Sequence, residues 1–397
     1  MKSKKYIVIG VILVAVFALV GTVNARAGID KNDRHKRVIA HSKEEVEKAV
    51  SLGCEVVRDA KTLKALRCPQ EVAESLSLSE DVKVFALEDD AVGISSSQPK
   101  VGTASASANQ QIGANIVHTS GNTGSGRKVV VLDTGYNYLH PELSSSYLGG
   151  KDFVNNDSDP MDDEGHGSHV AGIITADGIV TSAKGVAPDA GVMAGKVLDQ
   201  NGSGYFSDVV AGIYWAVNGP DGVYGNIDDF GADAISLSLG TGAPYLYKNL
   251  CNSVLPDLTN AIKYAVGKNV TVVVAAGNSG TRGVSLPGCI SYSTTVGAVS
   301  SNDQVASFSG RGSALDISAP GVNIYSSILG NLYATWSGTS MATPMITGVV
   351  ALMKNAHPLY TQGQVENKLF TTVKDLGKRG KDTDYGWGRV RANLAVQ

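Results

Sequence analysis

Five stretches of this chain are almost continuously apolar yet too short for helices: 128–133, 191–198, 233–239, 270–276 and 295–299. A strand with no polar face must be buried on both sides, as in a parallel sheet covered by helices. Between these runs, 167–176, 207–217 and 257–266 have helical periodicity. The 341–354 stretch is apolar nearly all round, so it is expected to pass through the core. The alternation predicts an α/β fold, a three-layer αβα domain on a mostly parallel central sheet. Such sheets carry their sites beyond the carboxyl ends of the strands. The residues that follow the apolar runs are therefore where chemistry is sought.

The first hundred residues read differently. Lys2, Lys4 and Lys5 precede an uncharged apolar run, 6–20, and Val23-Asn24-Ala25 ends in a small-x-small pattern. This predicts a signal peptide over 1–25 and export, since the run is short for a membrane span; an uncleaved anchor is the alternative. Residues 36–94 follow a β-α-β-β-α-β order: strand 38–40, helix 43–50 with Ser42 at its N-cap, hairpin 54–67, helix 70–77 and strand 82–87. That is a small ferredoxin-like α/β unit. The polar 95–109 stretch reads as a linker.

Export makes the four cysteines informative, because an oxidising compartment allows three pairings. Cys54 and Cys68 flank the hairpin, while Cys251 and Cys289 both fall in the larger part. Pairs Cys54–Cys68 and Cys251–Cys289 are favoured, with free buried thiols as the alternative. The net charge of −3 gives no footprint for nucleic acid.

Four motifs carry the chemistry. The first apolar run ends in Asp133, and Thr134-Gly135 turns the chain at once. There a carboxylate can fix a histidine tautomer, although alone it would be an ordinary capping aspartate. His166 lies between Gly165 and Gly167, whose small size leaves the ring clear to reach two partners. Ser340 in Gly338-Thr339-Ser340-Met341-Ala342 starts the core helix, where backbone N–H groups and the dipole favour a developing anion. An N-cap serine is the plain alternative. Asn278, in Ala276-Gly277-Asn278, ends another apolar run and can aim its amide at an oxyanion. His169 reads as a packed core histidine. His166-x-x-His169 lacks the glutamate and third ligand of a zinc site, and the chain has no Gly-x-Ser-x-Gly elbow.

In that chain order, Asp133, His166, Asn278 and Ser340 make this sequence resemble the subtilisin-like serine proteases (subtilases) over about three quarters of its length. The resemblance implies a secreted serine endopeptidase that works through an acyl-enzyme and needs no catalytic cofactor. It implies a pro-domain over 26–101, which assists folding and inhibits, cut within the linker, and a catalytic domain over 102–397. Protein substrates and its own pro-domain would be its partners, with no nucleic acid, no membrane after signal removal, and a monomeric state. Substrate would lie extended between Gly202-Ser203-Gly204 and Ser238-Leu239-Gly240, paired through its backbone. Leu239, Ala275, Ala276 and Gly277, with Ser285 near the floor, would line an uncharged pocket for an apolar or aromatic P1 side chain. A neutral His166 implies activity in the neutral-to-alkaline range.

Some residues depart from the pattern. Ser168 replaces a usual threonine, Val170 stands where one subfamily has a reactive cysteine, and Ile179 replaces the asparagine ligand of a calcium loop. Two acidic loops offer oxygens for structural calcium instead, or are solvated turns. One contains Asp157, Asp159, Asp162 and Asp163; the other contains Asp221, Asn226, Asp228 and Asp229. Rival readings are a non-catalytic surface scaffold and a processing enzyme with one substrate.

Overall fold

The computed structural model describes residues 35–87, 89–95 and 105–397. The expected signal peptide and the 96–104 part of the linker lie outside the described residues. Among the described residues, no helix is long and apolar enough to cross a membrane.

The larger part is built on a seven-stranded sheet. Its spatial order is Ile317–Pro320, Thr294–Val299, Thr271–Ala275, Ala234–Leu237, Lys128–Asp133, Gly191–Lys196 and Tyr147–Asp152, and every pairing is parallel. Both faces are covered, which is why the strands lack polar alternation. Val129 and Val131 pack with helices His166–Thr175 and Thr339–Ala356; Val130 and Leu132 pack with Phe206–Asn218 and Pro256–Gly267. The Lys128–Asp133 strand is the first of this sheet in the chain, and later strands are laid down on both sides of it. That makes its carboxyl end a topological switch point, the place where such sheets open a crevice.

Two edge strands are not legible as apolar runs. Tyr147–Asp152 contains Gly149-Gly150 and is only partly buried, and Ile317–Pro320 is four residues long. Residues Ser105–Ile112, partly expected as linker, form a helix. Ala108 and Ile112 are buried there, and the Asn109 amide donates to the carbonyls of Lys184 and Gly185.

The small N-terminal sheet runs Glu55–Asp59, Lys64–Pro69, His35–Ala40, Ser79–Glu80, with antiparallel pairing. Helix Lys43–Ser51 starts at Ser42 with a capping box to Glu45. Helix Gln70–Leu76 follows the hairpin. Disulfides join Cys54 to Cys68 and Cys251 to Cys289, the favoured pairs.

The last strand expected in this small unit belongs elsewhere. Ser79–Glu80 completes the sheet, whereas Lys83–Ala86 pairs with Ser203–Tyr205 and Leu239–Gly240 of the larger domain. Asp81 holds the departure point. It is buried, meets Arg37 Nε at 3.0 Å, and accepts from the Ser207 N–H and hydroxyl. The Asp208 carboxylate takes Arg37 at 3.1 Å and Arg58 at 2.6 Å. Both acidic groups sit at the N-terminal end of the Phe206–Asn218 helix, where negative charge is favoured.

Candidate active site

Asp133 ends its strand fully buried. Its Oδ1 accepts from the following Thr134 N–H at 2.7 Å and meets His166 Nδ1 at 2.7 Å. The two side chains come from segments joined by no local structure, so their approach depends on how the turn after Asp133 meets the helix that begins at His166. Gly167 makes that approach possible: a Cβ there would collide with the Gly135 carbonyl oxygen. The Gly167 N–H donates to the Thr134 hydroxyl at 2.8 Å.

His169 stands one turn along the same helix and is not part of this arrangement. It is fully buried, stacks on Trp336 at 4.5 Å, and donates from Nε2 to the Ala334 carbonyl. Burial pushes its pKa down to about 3, so it stays neutral.

Ser340 sits in the first turn of Thr339–Ala356. Its hydroxyl donates to the Ser238 carbonyl at 3.0 Å, and the Ser238 hydroxyl donates back to the Ser340 carbonyl at 3.0 Å. The second bond has a cause in sequence. Pro344, four residues on, has no N–H to give that carbonyl, so a side chain supplies the donor.

Asn278 is oriented by its neighbours. Its Oδ1 accepts from the Thr339 N–H at 3.0 Å and the Thr339 hydroxyl at 2.9 Å, which turns the NH₂ the other way. That NH₂ donates to the carbonyl of Leu87 at 3.0 Å. Gly277 holds the turn at φ +91, and a Cβ there would strike the Ser285 hydroxyl. Ser285 is buried, and its hydroxyl has no hydrogen-bond partner among the described residues.

The cleft holds the chain's own segment. Val84 pairs with Gly204, Phe85 with Ser203 and Gly240, and Ala86 with Leu239. The Ala86 N–H donates to the Gly202 carbonyl at 2.8 Å. A Cβ at Gly240 would lie 3.0 Å from Leu87 Cδ1 and 3.0 Å from Ser285 Cβ, so the Leu87 side chain lies near Gly240 and Ser285. Beyond Leu87, Asp89–Ser95 continues as a strand against Tyr333–Ser337. One carbonyl of this part of the chain, that of Leu87, thus rests on the Asn278 amide.

Known sequences share this framework. The Subtilase family model matches residues 124–388. The chain belongs to the subtilase family. It is a serine endopeptidase of the subtilisin type. It is 38% identical to subtilisin E of Bacillus subtilis (strain 168), over 72% of this chain and 70% of that one. It is 39% identical to subtilisin Savinase of Lederbergia lenta, over 72% of this chain and 97% of that one. Against the thermophilic serine proteinase of Bacillus sp. (strain AK1), the identity is 39% over 68% of this chain, and the match spans 62% of that protein.

In the acidic loops of this subtilase, protein donors engage many of the carboxylate oxygens. Among the described residues, no group of three or more His, Cys, Asp or Glu side chains is disposed to hold a metal ion. Two residues of the candidate calcium set, Asp162 and Asp163, are engaged by protein groups. Asp162 takes five protein donors, and Asp163 pairs with Lys196 at 2.5 Å. Asp157 accepts from the Asp159 N–H, and Asp159 from the Met161 N–H and the Tyr138 hydroxyl. In the other loop, Asp221 accepts from Val223 and Asn226, Asp228 from Asp221, and Asp229 from Gly225. One oxygen each on Asp228 and Asp229 is buried and takes no donor among the described residues.

The loop around Ile179 is held another way. Glu142, fully buried, accepts from the N–H groups of Gly178, Ile179 and Val180 and from the Tyr333 hydroxyl. Sequence reasoning singled out Asp133, His166, Asn278 and Ser340 but gave no role to Thr339, Glu142 or Leu87. Thr339 was open to view beside Ser340. Nothing local marks Leu87, whose place follows from a strand leaving its own sheet.

Proposed function

We propose that this endopeptidase is made as a zymogen whose first substrate is its own chain, cut between Leu87 and Glu88. The observation that carries this reading is the hydrogen bond from the Asn278 amide to the Leu87 carbonyl. In the proposed mechanism Asp133 fixes His166 through Nδ1, leaving Nε2 as the base. The Ser340 hydroxyl exchanges the Ser238 carbonyl for His166 by rotation about its Cα–Cβ bond, gives up its proton and attacks the Leu87 carbonyl carbon. The Asn278 NH₂ and the Ser340 N–H hold the oxyanion. His166 then protonates the nitrogen of Glu88, and water releases the acyl-enzyme. The same steps act on any polypeptide that takes the 84–87 strand's place.

An uncharged pocket that takes leucine supports an apolar P1 preference, and pairing through the backbone supports broad specificity. The cut precedes the 95–109 linker, so the inhibitory pro-domain ends at Leu87 rather than at 101. Two disulfides support export. Labelling with a serine-reactive phosphonate tests the site: wild type should be modified at Ser340, and Ser340→Ala should not. Labelling that persists in the variant rejects the assignment.

A further inference from the structure

The acidic 155–163 stretch is mostly exposed, but Asp162 points inward with 4% exposure. Its Oδ1 accepts from the Thr134 hydroxyl at 2.9 Å, the Glu164 N–H at 3.0 Å and the Gly165 N–H at 2.9 Å. Its Oδ2 accepts from the Ser168 N–H at 2.8 Å and the Ser168 hydroxyl at 2.6 Å. Every donor belongs to one of two segments: Thr134 follows Asp133, and 164–168 surrounds His166.

We infer that Asp162 is a positioning residue for the Asp133–His166 pair, clasping the turn that carries one to the helix that carries the other. Two features make this carboxylate hard to replace. Gly165 is the N-cap of His166–Thr175 and has no side chain to cap it, so Asp162 caps the first turn from outside. All five partners are donors, and an asparagine would turn an NH₂ toward some of them. The clasp has a second strand. The Thr134 carbonyl accepts from the buried Lys196 ammonium at 2.6 Å, and that ammonium pairs with Asp163. Adjacent residues 162 and 163 thus hold the turn after Asp133 by its hydroxyl and, through Lys196, by its carbonyl. A side chain in this position sets the 2.7 Å contact between Asp133 and His166 without touching substrate.

The inference rests on the triad assignment above. Its test compares Asp162→Asn, Thr134→Val and Thr134→Ser, each matured from the full chain and assayed on a peptide p-nitroanilide with leucine at P1. Asp162→Asn is expected to lower kcat at least about tenfold with KM within about twofold, because alignment rather than binding is lost. Thr134→Val removes the same link from the other end and must also lower kcat; Thr134→Ser, which keeps the hydroxyl, must restore most of it. In a Ser340→Ala background, the low-field proton resonance of the His166 Nδ1–H should shift or broaden when Asp162 becomes Asn. An unchanged kcat, or a reduced kcat with that resonance unmoved, overturns the inference. Should Asp162→Asn fail to mature, the Thr134 pair and the resonance still decide. Full activity in Ser340→Ala would overturn the triad assignment instead.

Discussion

The side-chain amide of Asn278 donates to the carbonyl of Leu87 at 3.0 Å, and Thr339 fixes the other end of that amide. An amide donor fixed in this way and aimed at a peptide carbonyl is the kind of group that stabilises an oxyanion developing there. Upstream of Leu87, Lys83–Ala86 pairs with Ser203–Tyr205 and Leu239–Gly240, and downstream, Asp89–Ser95 pairs with Tyr333–Ser337.

The contact surface of the N-terminal unit should control release after the cut. Asp208 is 2% exposed and is shared by Arg37 and Arg58. Arg58→Ala leaves that buried carboxylate short of a partner, which costs roughly 2–5 kcal/mol in a buried charged pair. The lag before activity appears in a maturing sample should shorten by at least about tenfold. An unchanged lag contradicts this.

Ser238→Ala should destabilise the fold by about 1–3 kcal/mol, since the Ser340 carbonyl has no N–H from Pro344 to fall back on. Urea unfolding of the variant in a Ser340→Ala background, which avoids autolysis, measures it. An unshifted midpoint would show that the carbonyl finds another donor.

Glu142 should stabilise the 177–181 loop without a cation. Glu142→Ala strands three N–H groups and the Tyr333 hydroxyl, so a loss of at least about 3 kcal/mol is expected. Adding a chelator should leave amide exchange at Gly178, Ile179 and Val180 unchanged in the unsubstituted chain. Faster exchange there on chelation would assign the loop to a metal.

Acid should weaken the fold through His169. Its imidazole takes a proton only near pH 3 in the native state, chiefly because of burial, but near 6.5 when unfolded. Between those values the unfolded chain binds more protons, so this stability is complete above about pH 6.5 and is lost as pH falls, by up to ~1.4 kcal/mol per pH unit. Burial shifts His118 and His140 in the same direction. Urea midpoints of Ser340→Ala between pH 7.5 and 5 should slope less steeply when His169 becomes Phe. Identical slopes contradict the assignment.

The parallel sheet and its helices were readable because residues such as Val129 to Leu132 must satisfy two buried faces at once, which leaves an apolar run as its trace. Asp133, His166, Asn278 and Ser340 were readable because each follows such a run or opens a helix among small residues. Tyr147–Asp152 escaped because a glycine-rich edge strand carries no such constraint. Lys83–Ala86 read correctly as a strand but not as to its sheet. Pairing partners distant in sequence leave no local mark, and Asp81, the residue that diverts the chain, resembles any surface carboxylate. Asp162 carries no local mark of its five donors for the same reason: composition reports a carboxylate, while only packing reports its donors.

The most direct test refolds residues 26–397 as wild type and as Ser340→Ala, and reads the masses and the new N-terminus. The account predicts that wild type splits once, that the larger fragment begins at Glu88, and that the variant stays whole. A cut in Ser340→Ala, or a wild-type fragment beginning within the 95–109 linker, would contradict it.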